Sequence, residues 1–269
     1  MEHLTKGKYF GDIKNVIQID NLILTETEFT GSHVDWHCHE NMHFSYSLIG
    51  NSCQISKKEK QIISNGTLIY HNSEDSHFNT KHSKYSKNFY IEIEDVWFRN
   101  LYFQHNLPKG VINLKSPRIK TAIEQIYLET KINDSTSKIA IESILINTFH
   151  LLQETSDIEK SIKPKWVSIV KEIIHEYPNN NFSLNELSKK AEIHPVHLSR
   201  EFLKYFGQSL SQYIRTIKVH KAASLLKNKD LSLMDICFYS GFSDQSHMSK
   251  CFKNTFNITP FQYRKVTVL

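Results

Sequence analysis

Ile236–Arg264 reads ICFYSGFSDQSHMSKCFKNTFNITPFQYR. Its punctuation predicts a helix, a tight turn at Gly241, a second helix and a capped stop. Ile236, Tyr239 and Phe242 bracket Gly241, which lacks a Cβ and so suits a backbone position with φ > 0. Ser243 is the expected N-cap of the second helix, with Asp244 placed to meet the helix dipole. Met248, Cys251, Phe252 and Thr255 recur at i, i+3, i+4, i+7 and form one stripe. Asn257 stands where a left-handed C-cap belongs, and Pro260 suits the first turn of a further short helix. A helix-turn-helix of this kind lays its second helix into the major groove of DNA.

The same unit occurs upstream. Ser199-Arg200, Phe202, Phe206, Gly207, Ser209 and Gln212-Tyr213 match Ser249-Lys250, Phe252, Phe256, Asn257, Thr259 and Gln262-Tyr263 at a constant offset of 50. Leu187 pairs with Ile236 at an offset of 49, so the second copy's turn holds one inserted residue. Two copies are too few for a stacked array, which leaves two helix-turn-helix units.

The stretch before and between them is helical in pattern. Trp166, Ile169, Val170, Ile173 and Ile174 define a first helix ending near Tyr177-Pro178, and Ser183 caps Leu184–Lys190. The first recognition helix is expected from about His194 to Phe206. A long helix from Ser209 to Lys227 then spans roughly 27 Å at the α-helical rise. That approaches the roughly 34 Å between major-groove faces on one side of a duplex.

Val196, His197, Ser199 and Arg200 are expected to face outward on the first reader, and Gln245, Ser246, His247, Ser249 and Lys250 on the second. Arg200 suits guanine N7 and O6, Gln245 suits adenine N6 and N7, and Val196 suits a thymine methyl. Lys190, Lys204, Arg215, Lys218, Lys253 and Lys265 are candidates for phosphate contacts, which position without specifying. The bland alternative for each of these lysines is a solvated side chain.

Charge supports the division. The chain carries a net +5, but residues 163–269 hold 16 basic and 8 acidic residues, and the rest 17 basic and 20 acidic. Only the C-terminal part is thus expected to meet a polyanion. Hydrophobic content of 39% over 269 residues supports two ordinary cores. No apolar run reaches the roughly 18 residues of a spanning helix, and MEHLTKGKYFGD lacks the apolar region of a signal peptide. Cys38, Cys53, Cys237 and Cys251 form no CxxC pair and are expected as reduced thiols.

Residues from about 8 to 105 read as β. Phe44, Tyr46 and Leu48 alternate with Ser45 and Ser47, and Phe89, Ile91 and Ile93 with Tyr90, Glu92 and Glu94, the period of half-buried strands. Gly50-Asn51 and Asn65-Gly66 are hairpin-type dipeptides. Many short strands at this spacing suggest a barrel or jelly roll. Residues 117–155 switch to helical period, with Ile119, Ala122, Ile123, Ile126 and Tyr127 in one helix and Ile141, Ile144, Leu145, Phe149 and Leu152 in another. The polar stretch ETSDIEKSIKPK, Glu154–Lys165, reads as a linker. The expected architecture is α+β, with a barrel and helical pair in 1–155, a linker over 156–165, and an all-α domain in 166–269.

His37 and His39 project from one strand face, because the side-chain period is two. A hairpin through Glu40-Asn41-Met42 brings His43 towards them, and His77 is expected from a neighbouring strand. Such a set of imidazoles suits zinc, iron, nickel or copper. The competing reading is a barrel mouth whose histidines hydrogen-bond a small organic ligand. His33, His71 and His82 are expected on the surface or in loops.

The run G-F-S-D-Q-S-H-M-S-K-C-F-K followed by F-N-I-T-P-F-Q-Y-R resembles the signature of AraC/XylS-type bacterial transcription regulators. The resemblance is strong over about residues 165–265 and looser before them. Cys237 stands where the family commonly has Ala, Met248 where an aromatic is frequent, and Asn257 where Gly is usual. Gly31, His37-Cys38-His39, His43 and Gly50 resemble the first cupin motif, with His43 in place of its Glu. Gly66 and His77 resemble the second, with Asn72 and Glu74 replacing its Pro and Gly.

The resemblance implies a cytoplasmic, non-enzymatic DNA-binding regulator, more often an activator, with a cupin-like sensor domain for a small-molecule effector. It further implies a homodimer formed through the helical pair, RNA polymerase as a partner, and no obligatory cofactor. The alternative is a metal-dependent cupin enzyme or metal sensor using His37, His39, His43 and His77.

Overall fold

The computed structural model describes residues 1–57, 59–81, 83–100, 108–160 and 163–268. The chain divides into two compact units, Met1–Leu152 and Gln153–Leu269.

The first unit holds two facing sheets. One runs in the order β1 (Glu2–Leu4), β4 (His33–His39), β9 (His77–Lys81), β6 (Ser52–Ser56), β7 (Lys60–Ile63). The other runs β11 (Val111–Asn113), β8 (Leu68–His71), β5 (Met42–Ile49), β10 (Ser86–Ile93), β3 (Leu22–Phe29), β2 (Asp12–Ile19). Gly50-Asn51 and Asn65-Gly66 join strands of opposite sheets rather than closing hairpins, with φ of 97° at Gly50 and 79° at Gly66. Glu40-Asn41 does the same between β4 and β5. The dipeptides dictate a sharp reversal; the packing of the strand faces dictates which strand is met next.

The expected half-buried strands are buried on both faces. The region expected as β to about residue 105 ends instead in a short helix, α1 (Asp95–Asn100), and 101–105 lie outside the described residues. On β5 and β10 the apolar set Phe44, Tyr46, Leu48, Phe89, Ile91 and Ile93 packs against α2 (Pro117–Ile132) and α3 (Ser137–Lys160). Phe44 lies 5.7 Å from Phe149, and Phe89 lies 5.2 Å from Tyr127, measured between ring centroids. The polar alternates His43, Ser45 and Tyr90 turn inward, to a cavity between the sheets. The buried Glu26 of β3 ties α2 to the sheet by accepting from Lys131 at 2.5 Å and Lys87 at 2.7 Å. The Tyr46 hydroxyl donates to Glu124 of α2. Helix α3 extends to Lys160, into the stretch read as linker, because no Gly or Pro interrupts the ladder before Pro164.

The second unit comprises α4 (Lys165–Glu176), α5 (Leu184–Lys190), α6 (Pro195–Phe206), α7 (Leu210–Leu226), α8 (Leu233–Tyr239), α9 (Gln245–Phe256) and α10 (Pro260–Thr267). The repeat holds in its details. Capping boxes open α5 at Ser183 with Glu186, and α8 at Ser232 with Asp235. The turns pass through Glu192 at φ 52° and Gly241 at φ 81°. They close with Ile193 N–H donating to the Ser188 carbonyl at 3.0 Å, and Phe242 N–H to the Cys237 carbonyl at 3.1 Å. All these equivalences share the offset of 49.

The readers themselves start at an offset of 50, with His194 as the N-cap of α6 and Asp244 as that of α9. The inserted residue is therefore Ser243. This corrects the expected cap: Asp244, not Ser243, accepts from the His247 N–H at 2.7 Å. The insertion lengthens the turn, so the helix begins one residue later, with a carboxylate at its positive end. Gly241 is required, since a Cβ there would lie 2.4 Å from the Asn179 carbonyl oxygen.

Candidate nucleic-acid interface and histidine cavity

Each reader is anchored by its inner stripe. Leu198 and Phe202 of α6 and Met248 and Phe252 of α9 are at most 1% exposed. Burial of each such side chain contributes roughly 1.5–3 kcal/mol, which settles the rotation of both helices about their axes. The opposite face is thereby presented. Val196 is 60% exposed, and His197, Ser199, Arg200, Gln245, Ser246, His247 and Lys250 are also exposed, with Ser249 half-buried. Together they offer bidentate donors, hydroxyls and one apolar contact, the set that edge-on base reading uses.

Lys190, Lys204, Arg215, Lys253 and Lys265 are exposed as expected, Lys204 lying 3.8 Å from Glu201. Lys218 differs. It is 3% exposed, and its ammonium donates to Asn181 Oδ1 and, at 2.6 Å, to the Gly241 carbonyl. The cause is its place on α7, on the face that also buries Ile214, Ile217 and Ala222.

The first unit encloses a cavity of about 70 Å³. Two rows of imidazoles face each other across it. His37 of β4 lies opposite His77 of β9 in register, with His39 two residues along. His43 of β5 lies opposite His71 of β8. All five are at most 7% exposed. Ring centroids are 4.2 Å apart for His37 and His77, 4.3 Å for His39 and His43, and 4.3 Å for the parallel rings of His43 and His71. The ligating nitrogens of His37, His39 and His77 all lie within 4.8 Å of one another.

His71 corrects the surface reading. It is 2% exposed and stacked on His43, while His33 is exposed as expected and His82 lies outside the described residues. A signal existed: His71 is two residues from Ile69, opposite in parity to the apolar pair Leu68 and Tyr70, so it shares the inward face.

Hydrogen bonds set the tautomers of two rings. His37 Nδ1 lies 2.8 Å from the Asp35 carbonyl, and His77 Nδ1 lies 3.2 Å from the Asp75 carbonyl. A carbonyl only accepts, so Nδ1 carries the proton and Nε2 keeps its lone pair. His71 Nδ1 is buried without a hydrogen-bond partner among the described residues. Burial is the first cause that lowers all five pKa values, and mutual repulsion adds to it for His39, His43, His71 and His77. His43 and His77 fall to about 3. The cluster is therefore neutral near pH 7 and rich in lone pairs. The nearby buried Glu92 is committed elsewhere, accepting from Gly7 N–H at 2.8 Å, Asn41 Nδ2 at 2.9 Å and the Tyr9 hydroxyl at 3.2 Å.

All four cysteines are free thiols. No helix among the described residues is long and apolar enough to cross a membrane.

A family profile described as "Helix-turn-helix domain" matches residues 187–266, a stretch within the second unit that runs from α5 into α10. The HTH-type transcriptional activator RhaR of Mannheimia succiniciproducens is 22% identical over 231 residues, covering 80% of this chain and 81% of that protein. The Msm operon regulatory protein of Streptococcus mutans is 33% identical over 123 residues, 45% of this chain and 43% of that protein. The probable transcription factor PqrA of Proteus vulgaris is 33% identical over 87 residues, 32% of this chain and 71% of that protein.

Proposed function

The chain belongs to the AraC/XylS family of transcription regulators, and on that premise we propose that α6 and α9 read two major-groove half-sites while the histidine cavity takes the effector. One observation carries the first part: two helices anchored by the buried pairs Leu198 and Phe202, and Met248 and Phe252, present outward polar residues at equivalent positions. Arg200 reads a guanine and Gln245 an adenine, with Val196, His197, Ser199, Ser246, His247, Ser249 and Lys250 completing the two surfaces. Lys190, Lys204, Arg215, Lys253 and Lys265 hold phosphates.

Selection of duplexes from a randomised library yields the operator. Arg200→Ala is then expected to lose about 1–3 kcal/mol and to relax one base position. Uniform weakening across all sequences would instead place Arg200 on phosphate. Dimerisation through α2 and α3, activation through RNA polymerase and a cytoplasmic location complete the proposal, each inherited from the family.

The cavity supports an effector of a particular class. At about 70 Å³ it is smaller than the roughly 150 Å³ that holds a benzene. Its donors are neutral imidazoles, two of them tethered through Nδ1 so that Nε2 is free to ligate. This set fits a late transition-metal ion of the zinc, copper or nickel type. His37, His39 and His77 would hold it, with His43 and His71 within reach of an exchangeable fourth position. Bound there, the ion would supply a fixed positive charge and a cross-link between strands.

The check is metal content by mass spectrometry, after purification without chelator. Stoichiometric metal in the wild type that is lost on changing both His37 and His39 to Ala supports a metal effector. A metal-free wild type sends the search to small organic molecules. The rival, a metal-dependent cupin enzyme, draws on the same histidines, whereas the relatives named above are transcription regulators.

A further inference from the structure

Between the two helix-turn-helix copies lies a cavity of about 290 Å³, bordered by Ser183, Ser211, Arg215, Ser243 and His247, with Lys218 in its wall. No Asp or Glu among the described residues lines it. The Lys218 ammonium is enclosed, and both of its acceptors, Asn181 Oδ1 and the Gly241 carbonyl, are neutral. Three N–H donors are available on an ammonium, so one is left over. No carboxylate among the described residues pairs with it. A buried lysine is rarely left without a counter-charge, because desolvating an unpaired cation is costly. The wall adds a guanidinium, an imidazole and hydroxyl-bearing residues, all able to donate to an oxyanion.

We propose that this cavity seats a phosphate oxyanion of the DNA backbone, taken from the stretch that runs between the two major-groove segments. The proposal rests on the DNA-binding reading above. Its geometry follows from His247, which belongs both to the cavity wall and to the outward face of α9, so the cavity meets the reading surface. Lys218 completes the argument. Asn181 precedes α5 of the first copy, and Gly241 is the turn of the second. One ammonium thus touches both copies, and a phosphate seated on it is held by both at once. Lys218 supplies the phosphate's counter-charge from within, while Arg215 supplies a second cation from the rim.

The test uses the full chain and a duplex that it selects from a randomised library. Each backbone phosphate between the half-sites is replaced in turn by a neutral methylphosphonate. One linkage is expected to lower wild-type affinity by about tenfold or more. In Lys218→Met the same linkage is expected to cost less than about twofold, and the slope of log K against log salt is expected to fall by about 0.9. Lys218→Arg is expected to keep both wild-type properties, and the melting temperatures of the two variants show that each is folded.

Equal loss by Lys218→Met at every linkage, with an unchanged salt slope, would overturn the proposal and leave Lys218 an internal tie. Stabilisation of the wild type, but not of Lys218→Met, by millimolar inorganic phosphate without coupling at any linkage would overturn the DNA assignment in favour of free phosphate. Failure of the wild type to select any duplex is a different result, since it sinks the DNA-binding reading itself.

Discussion

At the scale of single residues, the first unit concentrates its chemistry in five buried imidazoles. Their pKa values are lowered from 6.5, to about 3 for His43 and His77. In the unfolded chain they titrate near the ordinary value, so between roughly pH 6.5 and 3 the unfolded state binds more protons. Stability is thus complete above about pH 6.5 and is lost as the pH falls. Each such histidine contributes a slope of up to about 1.4 kcal/mol per pH unit in that window. For the metal-free chain, the denaturant midpoint of the first unit is expected to drop steeply from pH 7 to pH 5. His71→Gln is expected to make the drop shallower, and a profile unchanged by that substitution would mean that His71 already protonates in the folded state.

At the scale of the element, α9 owes its start to an insertion. Ser243 lengthens the turn, and Asp244 then caps the helix. Asp244→Ala is expected to cost about 0.5–2 kcal/mol of stability, measured by chemical denaturation. Ser243→Ala is expected to stay within about 0.5 kcal/mol. The reverse ranking would return the cap to Ser243. The same difference sets the chemistry at the two reader N-termini, since α6 starts on an imidazole and α9 on a carboxylate.

At the scale of the whole molecule, the second unit is two readers on one strut. Helix α7 has 17 residues, which is about 26 Å at the α-helical rise. Two half-sites about one helical turn apart, roughly 10–10.5 base pairs, therefore suit one face of a duplex. Inserting half a turn of DNA between them is expected to reduce affinity to that of a single half-site in a band-shift titration. Affinity indifferent to the insertion would mean that only one reader engages.

The helix-turn-helix pair was legible in the sequence because its determinants are local. Gly241, the capping residues other than Ser243, the i, i+3, i+4 stripes and the offset of about 50 each act within a turn or two of helix, and the structure repeats them. The outward residues of α6 and α9 followed from the same periodicity. The strands were also legible, by their period of two. Their partners were not, since Gly50-Asn51 and Asn65-Gly66 reverse the chain whether the next strand joins the same sheet or the opposite one.

The burial of Lys218 and His71 was likewise decided by tertiary structure. A lysine on a mixed helix face carries no local mark of burial, and the parity that His71 shares with Ile69 names its side of the strand but not what covers that side. Lys218 is enclosed because Asn181 and Gly241, distant in sequence, converge on it. His71 is enclosed because α2 and α3 cover the apolar face of the six-stranded sheet and turn its polar face inward. Period alone cannot say which face of a strand meets water; that depends on what packs against each face.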